Sequence, residues 1–559
     1  MYPGVAQAGR AVYCSAVSKG FHSSRSVCGG TVAGVPASWF SRAMLPLLSA
    51  THMQALDRFA IEKIGIPSAV LMEVAGRGVL DAVLTLLGDA ALTGPVLLLA
   101  GMGNNGGDTV VVARHLAERG VPVTLLVLGS PDKASESMQL QLRIIEALGV
   151  QPWFLEGEAA PEMLTELLDE AEVVVDGLFG TGLTRPIDDW RAQVIDLIND
   201  SDAPVVAVDI ASGVSADTGQ VLGVAVEADI TVTFQCAKLG HVLFPGRALA
   251  GEVHIVDIGI PESRLPEVGQ HATLLDERVV QAAFLPREQD THKGTYGHVL
   301  VAAGNPDQPG AGLLAARAAQ KTGAGLVTLA SDGETVRRVG PVLGSLMGLT
   351  VGETSIEAKT LKDALQTRTA LVVGPSLAPD ASTEALLKEV LSDSPVPAVL
   401  DAGALTAMGT DYRWLRERPG ETVLTPHPGE MARLLGTDSH AVQKDRVTAA
   451  RRAAEQSGAV VILKGASTMI AAPDGRLSVL VAGNPGMAAG GMGDVLAGVV
   501  GSLLGQGVEA YLAACAGAEL HARAGDHAAA AVSEPALTPE DVLTSLGPVL
   551  LQICGTSPR

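Results

Sequence analysis

The sequence predicts two successive α/β domains, each a mostly parallel sheet covered by helices. Three observations predict it. Short apolar runs of strand length recur along the chain, and most end in a polar or glycine-rich loop that opens a helical stretch, the pattern of βαβ crossovers. That rhythm lapses once, between Pro261 and Pro286, where the chain turns polar and adds Pro266. A chain of 559 residues, 47% hydrophobic and 18% charged, is long and apolar enough for two full-sized cores. The expected division is a leader at 1–43, a first domain at 44–270, a linker at 271–285 and a second domain at 286–559.

Residues 1–43 differ from the rest of the chain. They hold Arg10, Lys19, Arg25 and Arg42, many serines and glycines, and no acid; the first acid is Asp57. An organelle transit peptide has that composition. So does sequence upstream of a true start at Met44, after which Leu45–Asp57 reads as a capped helix start; the Ala/Gly-rich bias of the whole chain favours this second reading. On either reading the segment stands outside the fold.

In the first half, Val96–Ala100 is a strand, Gly101–Asp108 a loop, Thr109–Arg119 a helix stopped by Gly120, and Val121–Leu128 the next strand. Val173–Asp176 runs into Gly177–Leu183 and Val205–Val208 into Asp209–Gly213, with Asp229–Phe234 and Glu252–Ile258 as closing strands. Open α/β sheets bind ligands beyond the carboxyl ends of their strands, so Asp108, Asp176 and Asp209 are expected along one edge. An Asp at a strand end also serves as a plain helix cap.

In the second half, the strand His298–Ala303 leads through Gly304–Gly310 into the helix Ala311–Thr322, stopped by Gly323, and the strand Leu326–Ala330. Thr369–Val373 ends in Gly374-Pro375, Ala398–Leu400 in Asp401, Val423–Leu424 in Thr425–Glu430, and Val460–Leu463 in Lys464–Thr468. The most distinctive stretch is Gly483–Asp494, with five glycines and a proline in twelve residues, followed by Val495–Gly505, apolar at helical spacing. A glycine-rich turn opening a helix presents free N–H groups at the positive end of the dipole, which hold phosphate. Asp494 on the first turn repels phosphate, so it fits a task beside it: taking the proton of a hydroxyl that attacks it. The plainer reading is a helix cap behind a loose loop.

Composition narrows the partners. A net charge of −22 argues against sequence-independent nucleic-acid binding, so anionic ligands must be held locally by loops and helix ends. Cys14, Cys28, Cys236, Cys515 and Cys554 have no metal-ligand or disulfide spacing, which fits a reducing compartment, and a cytoplasmic location is expected. Apolar runs such as Val96–Leu99 fall far short of the roughly 20 residues of a membrane helix, so no membrane partner is expected.

The second half resembles the NAD(P)H-hydrate dehydratases, ribokinase-like proteins, through Lys293–Gly297, Leu424–Glu430, Leu463–Ser467 and Asn484–Asp494 in that order. The first half resembles the NAD(P)H-hydrate epimerase domain, Rossmann-like and three-layered, through Gly103–Asp108, Val175–Gly182 and Val208–Gly213. The two fused in this order resemble the bifunctional repair enzymes that restore reduced nicotinamide cofactors from their hydrates. The resemblance implies epimerisation of R and S hydrates (NADHX and NADPHX) in the first half. In the second it implies dehydration of the S form, with ADP or ATP and Mg2+ phosphorylating the ring hydroxyl.

The same resemblance implies residue roles. It implies Asp494 as the base for phosphoryl transfer, Gly490, Gly491 and Gly493 with Lys464, Gly465, Ala466, Ser467 and Thr468 at the nucleotide, and Ala311, Ser376 and His427 at the hydrate. In the first half it implies Asp209 as the acid–base residue, with Asn104, Asn105, Gly106, Gly107 and Asp108 at the hydrate. A second hydrate loop comprises Gly180, Thr181, Gly182, Leu183, Thr184, Arg185 and Pro186, and Asn105, Asp176 and Ser212 match potassium ligands. A homo-oligomer is expected. Thr109, Ala211, Ala489 and the Gly374–Ala378 stretch depart from the family pattern. Two other readings carry less: a ribokinase-like sugar or vitamin kinase leaves the first half unexplained, and a nucleotide-binding interaction protein with an idle first half rests on Thr109 and Ala211 alone.

Overall fold

The computed structural model describes residues 45–555 except 89–93, 158, 266–268 and 270, so the expected leader lies outside the described residues. Two compact units result: one spans Leu48–Gln270, and the other runs from His271 onward and includes the segment up to Leu47.

The first unit is a seven-stranded sheet in the order Trp153–Leu155, Val123–Leu128, Val96–Ala100, Val173–Gly177, Val205–Val208, Ile230–Phe234, Glu252–Val256, every neighbouring pair parallel. The central strand shows why its sequence is an unbroken apolar run. Val96, Leu98 and Ala100 enter the core shared with helices Ser68–Leu87, Asn104–Glu118 and Glu136–Ala147. Leu97 and Leu99 enter the opposite core, shared with Ala159–Glu170 and Trp190–Asp200. Strands buried on both faces have no room for polar alternation. The order of chain passage reverses between Val96–Ala100 and Val173–Gly177, and the loops leaving those two strands part there.

The second unit continues a parallel sheet through Met347–Thr350, Leu326–Ser331, His298–Ala302, Ala370–Val373, Ala398–Leu400, Thr422–Leu424 and Val460–Leu463. It then turns antiparallel through Thr468–Ala471 and Leu477–Leu480, a hairpin the sequence pattern does not announce. Helix Met492–Gly505 lies buried among helices Gly310–Lys321 and Ala510–Val532 and the sheet.

Three expectations are corrected. Residues 271–285 are not a linker. Ala272–Leu274 pairs parallel with Leu477–Leu480 and antiparallel with Leu45–Leu48, and the helix Arg278–Ala283 sends Val279, Val280 and Ala283 into the core. Elements of three and six residues leave almost no periodic signal. Leu45–Leu48 is accordingly a strand, and the helix begins only at Ala50, capped by Ser49, whose hydroxyl accepts from the His52 amide at 3.2 Å. Helix Asn104–Glu118 also begins earlier than Thr109, inside the expected loop, because Gly106 and Gly107 serve close packing there. A Cβ on Gly106 would fall 1.8 Å from the Gly101 carbonyl oxygen. No helix among the described residues is long and apolar enough to cross a membrane.

Gly498 gives a test of the second core. A Cβ there would lie 2.1 Å from the Ala315 carbonyl oxygen, a backbone atom with little freedom to move. Gly→Ala gains ~1 kcal/mol of helix propensity, whereas overpacking costs ~1–3 kcal/mol or more. Gly498→Ala should therefore lower the unfolding midpoint of this unit in a denaturant titration; a raised midpoint contradicts the close approach.

Candidate active sites

At the carboxyl edge of the first sheet lies a cavity of about 820 Å3, within the range of small-molecule sites. Its lining includes Asn104, Asn105 and Asp108 at the start of helix Asn104–Glu118, the loop Gly180–Pro186, Asp209, and Asp57 of helix Ala50–Phe59. The expected second hydrate loop thus lines the cavity throughout. Gly106 and Gly107 do not; both are buried, Gly107 against Met72.

Asp209 ends the Val205–Val208 strand in the left-handed region, with φ of 64°, a conformation that persists only when its surroundings hold it. His241 does so. Its Nδ1 accepts from the Lys238 amide at 3.1 Å, so Nε2 carries the proton and donates to the Asp209 carbonyl at 2.9 Å. Burial and the nearby Lys238 ammonium push His241 down to about 4, keeping it neutral. The Lys238 side chain is wholly buried and donates to Asp209 Oδ1 at 2.5 Å, Thr233 Oγ1 at 2.7 Å and the Phe234 carbonyl at 3.3 Å. Thr233 in turn donates to Asp209 Oδ1 at 3.0 Å. Burial alone would raise the Asp209 carboxyl, but Lys238, then His241 and Thr233, outweigh it and hold it below the usual carboxylate value.

Its neighbours go the other way. Burial, then the negative charges of Asp209 and Asp57, drive Asp108 well above the ordinary value, and burial and Asp209 push Asp57 up to about 6. One ionised and two protonation-prone carboxyls therefore face one cavity. Lys238 and His241 carry no motif and escape the sequence reading; the only signal is a lysine and a histidine three residues apart after a closing strand.

Asp176 and Ser212 are fully buried and do not line the cavity. The Ser212 amide and hydroxyl donate to the two Asp176 oxygens at 2.8 and 2.6 Å, and burial still pushes Asp176 up to about 6. Asn105 Nδ2 is buried without a partner.

The second unit gathers its polar groups likewise, at the carboxyl ends of parallel strands. Lys464 donates to Asp401 Oδ1 at 2.9 Å and lies 3.9 Å from Glu430 Oε2. Thr425 donates to the same Asp401 oxygen at 2.7 Å. Burial would lower the Lys464 ammonium, but Asp401 and Glu430 hold it above its usual value. Gly493 abuts this cluster: a Cβ there would sit 3.1 Å from Lys464 Nζ and 3.6 Å from Asp401 Oδ2. Burial, then Asp401, pushes Asp494 up to about 7, against the pull of Lys464.

Gly491, with φ of 95°, turns the chain into helix Met492–Gly505. Among the described residues the amides of Gly490, Gly491, Gly493 and Asp494 find no backbone acceptor. Asp526 anchors the start of the loop, accepting from the Gly483 amide and Asn484 Nδ2 at 2.9 Å each. His427 caps helix Pro428–Leu435, its Nδ1 accepting from Gly429 at 3.0 Å while the ring stays half exposed. Ser376 adopts φ of 56°, and its carbonyl accepts from Asn305 Nδ2 at 2.6 Å, joining two loops of this edge; Ala311 lies in the first turn of helix Gly310–Lys321 after the first of them. In the Lys464–Thr468 turn, Gly465 and Ala466 are exposed and Ser467 is buried; Thr468 donates to the Gly465 carbonyl at 2.8 Å, and Arg446 donates to the carbonyls of Leu463 and Lys464 beneath it. Lys464 belongs to the acidic cluster, with Asp401 and Glu430 as partners that the sequence showed only as a strand end and a motif terminus.

Residues 299–546 match the NAD(P)H-hydrate dehydratase family, and residues 68–240 match the family described as YjeF-related protein N-terminus. Among curated relatives, the Bifunctional NAD(P)H-hydrate repair enzyme Nnr of Moorella thermoacetica is 41% identical over 510 residues, covering 90% of this chain and 96% of that one. The enzymes of the same name from Thermofilum pendens and Escherichia coli are 38% and 34% identical, covering 87% and 88% of this chain and 93% and 91% of theirs. A solved ADP/ATP-dependent NAD(P)H-hydrate dehydratase of Bacillus subtilis, co-crystallised with ATP and Mg2+, is 31% identical, covers 50% of this chain and 98% of that one, and has a TM-score of 0.46.

The Lys238–Asp209 pair predicts a pH signature. Lys238→Met leaves a buried carboxylate without its counter-charge, which costs ~3–5 kcal/mol near neutral pH. In the wild type the Asp209 carboxyl is depressed, so its contribution is present above the unfolded value of 3.8 and is lost as pH falls through the lower folded value. In the variant that carboxyl rises, and protonation relieves the cost. Urea unfolding of the two proteins should differ widely near neutral pH and less near pH 4; an equal gap at both contradicts the pairing.

Proposed function

The chain belongs to the family of bifunctional NAD(P)H-hydrate repair enzymes, and on that premise we propose that its first unit epimerises R and S hydrates of NADH and NADPH while its second, ribokinase-like unit dehydrates the S form with ADP or ATP. The observation that carries this reading is the placing of Asp494. It stands on the first turn of a helix opened by free amides, beside Lys464 and Asp401, with its carboxyl pushed up to about 7. A general base near neutrality is suited to removing the proton of a weakly acidic hydroxyl.

In this reading the hydrate's ring hydroxyl attacks the terminal phosphorus of the nucleotide and Asp494 takes its proton. The amides of Gly490, Gly491 and Gly493 face the charge that develops on the transferring group. Phosphate then leaves with the electron pair of the carbon–oxygen bond, the adjacent ring carbon gives up a proton to solvent, and the ring double bond is restored. Magnesium, when bound with the nucleotide, supplies charge neutralisation at the phosphates, and the Asp401–Glu430 side of the cluster is the oxygen-rich surface available to it. Gly465, Ala466, Ser467 and Thr468 take the nucleotide, and Ala311, Ser376 and His427 the hydrate.

In the first unit Asn104, Asn105, Asp108 and Gly180–Pro186 hold the hydrate in the cavity, and Asp209 performs acid–base work. Asn105, Asp176 and Ser212 fit a potassium ion. Asp176 is a fully buried carboxyl that accepts hydrogen bonds from Ser212 and the Leu178 amide and has no cationic partner among the described residues. Such a set of oxygens is short of a positive charge that a hard monovalent cation supplies. Cys236 and Cys515 are buried and join no disulfide among the described residues, in keeping with a cytoplasmic enzyme; a homo-oligomer remains part of the proposal.

A mixture of R and S hydrates with Mg2+ and ADP or ATP, followed at the absorbance of reduced nicotinamide, tests both halves. Full recovery is expected. Recovery of the S fraction alone, beyond spontaneous epimerisation, removes the first unit's activity, and a stable phosphorylated sugar or vitamin without cofactor recovery replaces the second's.

Asp494→Asn should lower dehydration turnover by roughly two to four orders of magnitude. Nucleotide affinity should hold or rise, because a negative charge leaves while the loop amides stay. In the wild type, turnover should fall as pH drops through about 7 and the base is protonated. Turnover of the variant within a few-fold of wild type would reduce Asp494 to a helix cap.

A further inference from the structure

The Asp108 carboxyl has no assigned chemistry beyond membership of a substrate-binding stretch, and its surroundings give it a further one. It is 7% exposed, lines the cavity, and takes no hydrogen bond or ion pair among the described residues. Its carboxyl is therefore open to the cavity rather than sealed in the core. An ionised carboxylate there would repel the phosphates of a nicotinamide dinucleotide rather than bind them. Lys238 offsets this only in part, because all three of its donors go to Asp209, Thr233 and the Phe234 carbonyl. Charged neighbours come from every side: Asp57 on helix Ala50–Phe59, Asp209 on the strand end, and Lys238, backed by neutral His241, on the segment after the Ile230–Phe234 strand. Burial, two neighbouring acids and one already paired base push the Asp108 carboxyl well above the ordinary carboxylate value, toward its proton-holding form.

We propose that Asp108 is the proton donor of the first unit, paired with Asp209 as proton acceptor across the same cavity. This rests on the epimerase reading. The hydrate carries its hydroxyl on the carbon next to the ring nitrogen, so the reaction is that of a cyclic hemiaminal. Asp209 takes the hydroxyl proton as the carbon–nitrogen bond breaks. The electron pair of that bond goes to nitrogen, which takes the proton of Asp108. The resulting aldehyde turns its other face to the nitrogen, the ring recloses, and each proton returns to its carboxyl, with no net oxidant, reductant or water consumed. Two carboxyls held in opposite protonation states by their surroundings are the arrangement such acid–base chemistry needs.

The test uses the full-length chain with Asp108→Asn. Asparagine copies the shape and neutrality of the protonated acid and can still donate a hydrogen bond, but it cannot release a proton. The rate of R-to-S conversion at saturating hydrate should fall roughly 10²- to 10⁴-fold, KM should change little, and thermal stability should hold. The wild-type rate should fall at high pH, as the donor ionises, and at low pH, as Asp209 protonates; in the variant's residual activity the high-pH limb should vanish. A variant within a few-fold of wild type, or one that keeps that limb, overturns the assignment. If Asp108→Asn does not fold, the wild-type profile decides: a rate that does not fall above neutrality overturns it. Failure of the wild-type chain to interconvert the hydrates would instead remove the epimerase reading itself.

Discussion

A parallel sheet places the carboxyl ends of all its strands on one side, and that constraint governs both units. Each strand interior is buried on two faces and must be apolar, so polar residues accumulate where strands end. Asp176 and Asp209 in the first unit, and Asp401, Thr425 and Lys464 in the second, all lie at such ends. Residues far apart in the chain are thus brought to one edge without any element built to carry them there.

Crowding carboxyls at an edge has an electrostatic cost, and both units meet it with one lysine among three acids. Lys238 donates only to Asp209 and its surroundings, and its charge offsets the rise of Asp57 and Asp108 only in part. Lys464 pairs with Asp401 and leans toward Glu430, leaving Asp494 raised. In the first unit a single positive charge sets one ionised carboxyl apart from two proton-holding ones, and in the second it leaves Glu430 and Asp494 both raised. The division arises from where the lysine's few donors are directed, since every acid carries the same carboxyl group.

Much of this was legible in the amino-acid order. Val96–Ala100, Val205–Val208, Ala398–Leu400 and Val460–Leu463 are strands with the expected bounds, because doubly buried strands are the strongest apolar signal a chain emits. The glycine turn before Asp494 was readable for the same reason that it works: only a backbone without side chains exposes its amides. Short elements were not readable. Ala272–Leu274 and Arg278–Ala283 took on the look of a linker, since neither completes a period. Nor were Lys238 and His241, whose significance lies wholly in what they face after folding; Asp57 sits on a helix that nothing local marks as part of a site.

The strand Leu45–Leu48 raises a question of timing. Synthesis delivers its residues first, yet its partner Ala272–Leu274 emerges only after the whole of Leu48–Gln270. In a ribosome-bound chain the first unit can close as soon as its own strands are out, while the pairing of Leu45–Leu48 with Ala272–Leu274 forms only later. The first unit is in effect a domain inserted into the opening of the second, and a fragment cut at the apparent boundary would carry away a piece of its neighbour's sheet.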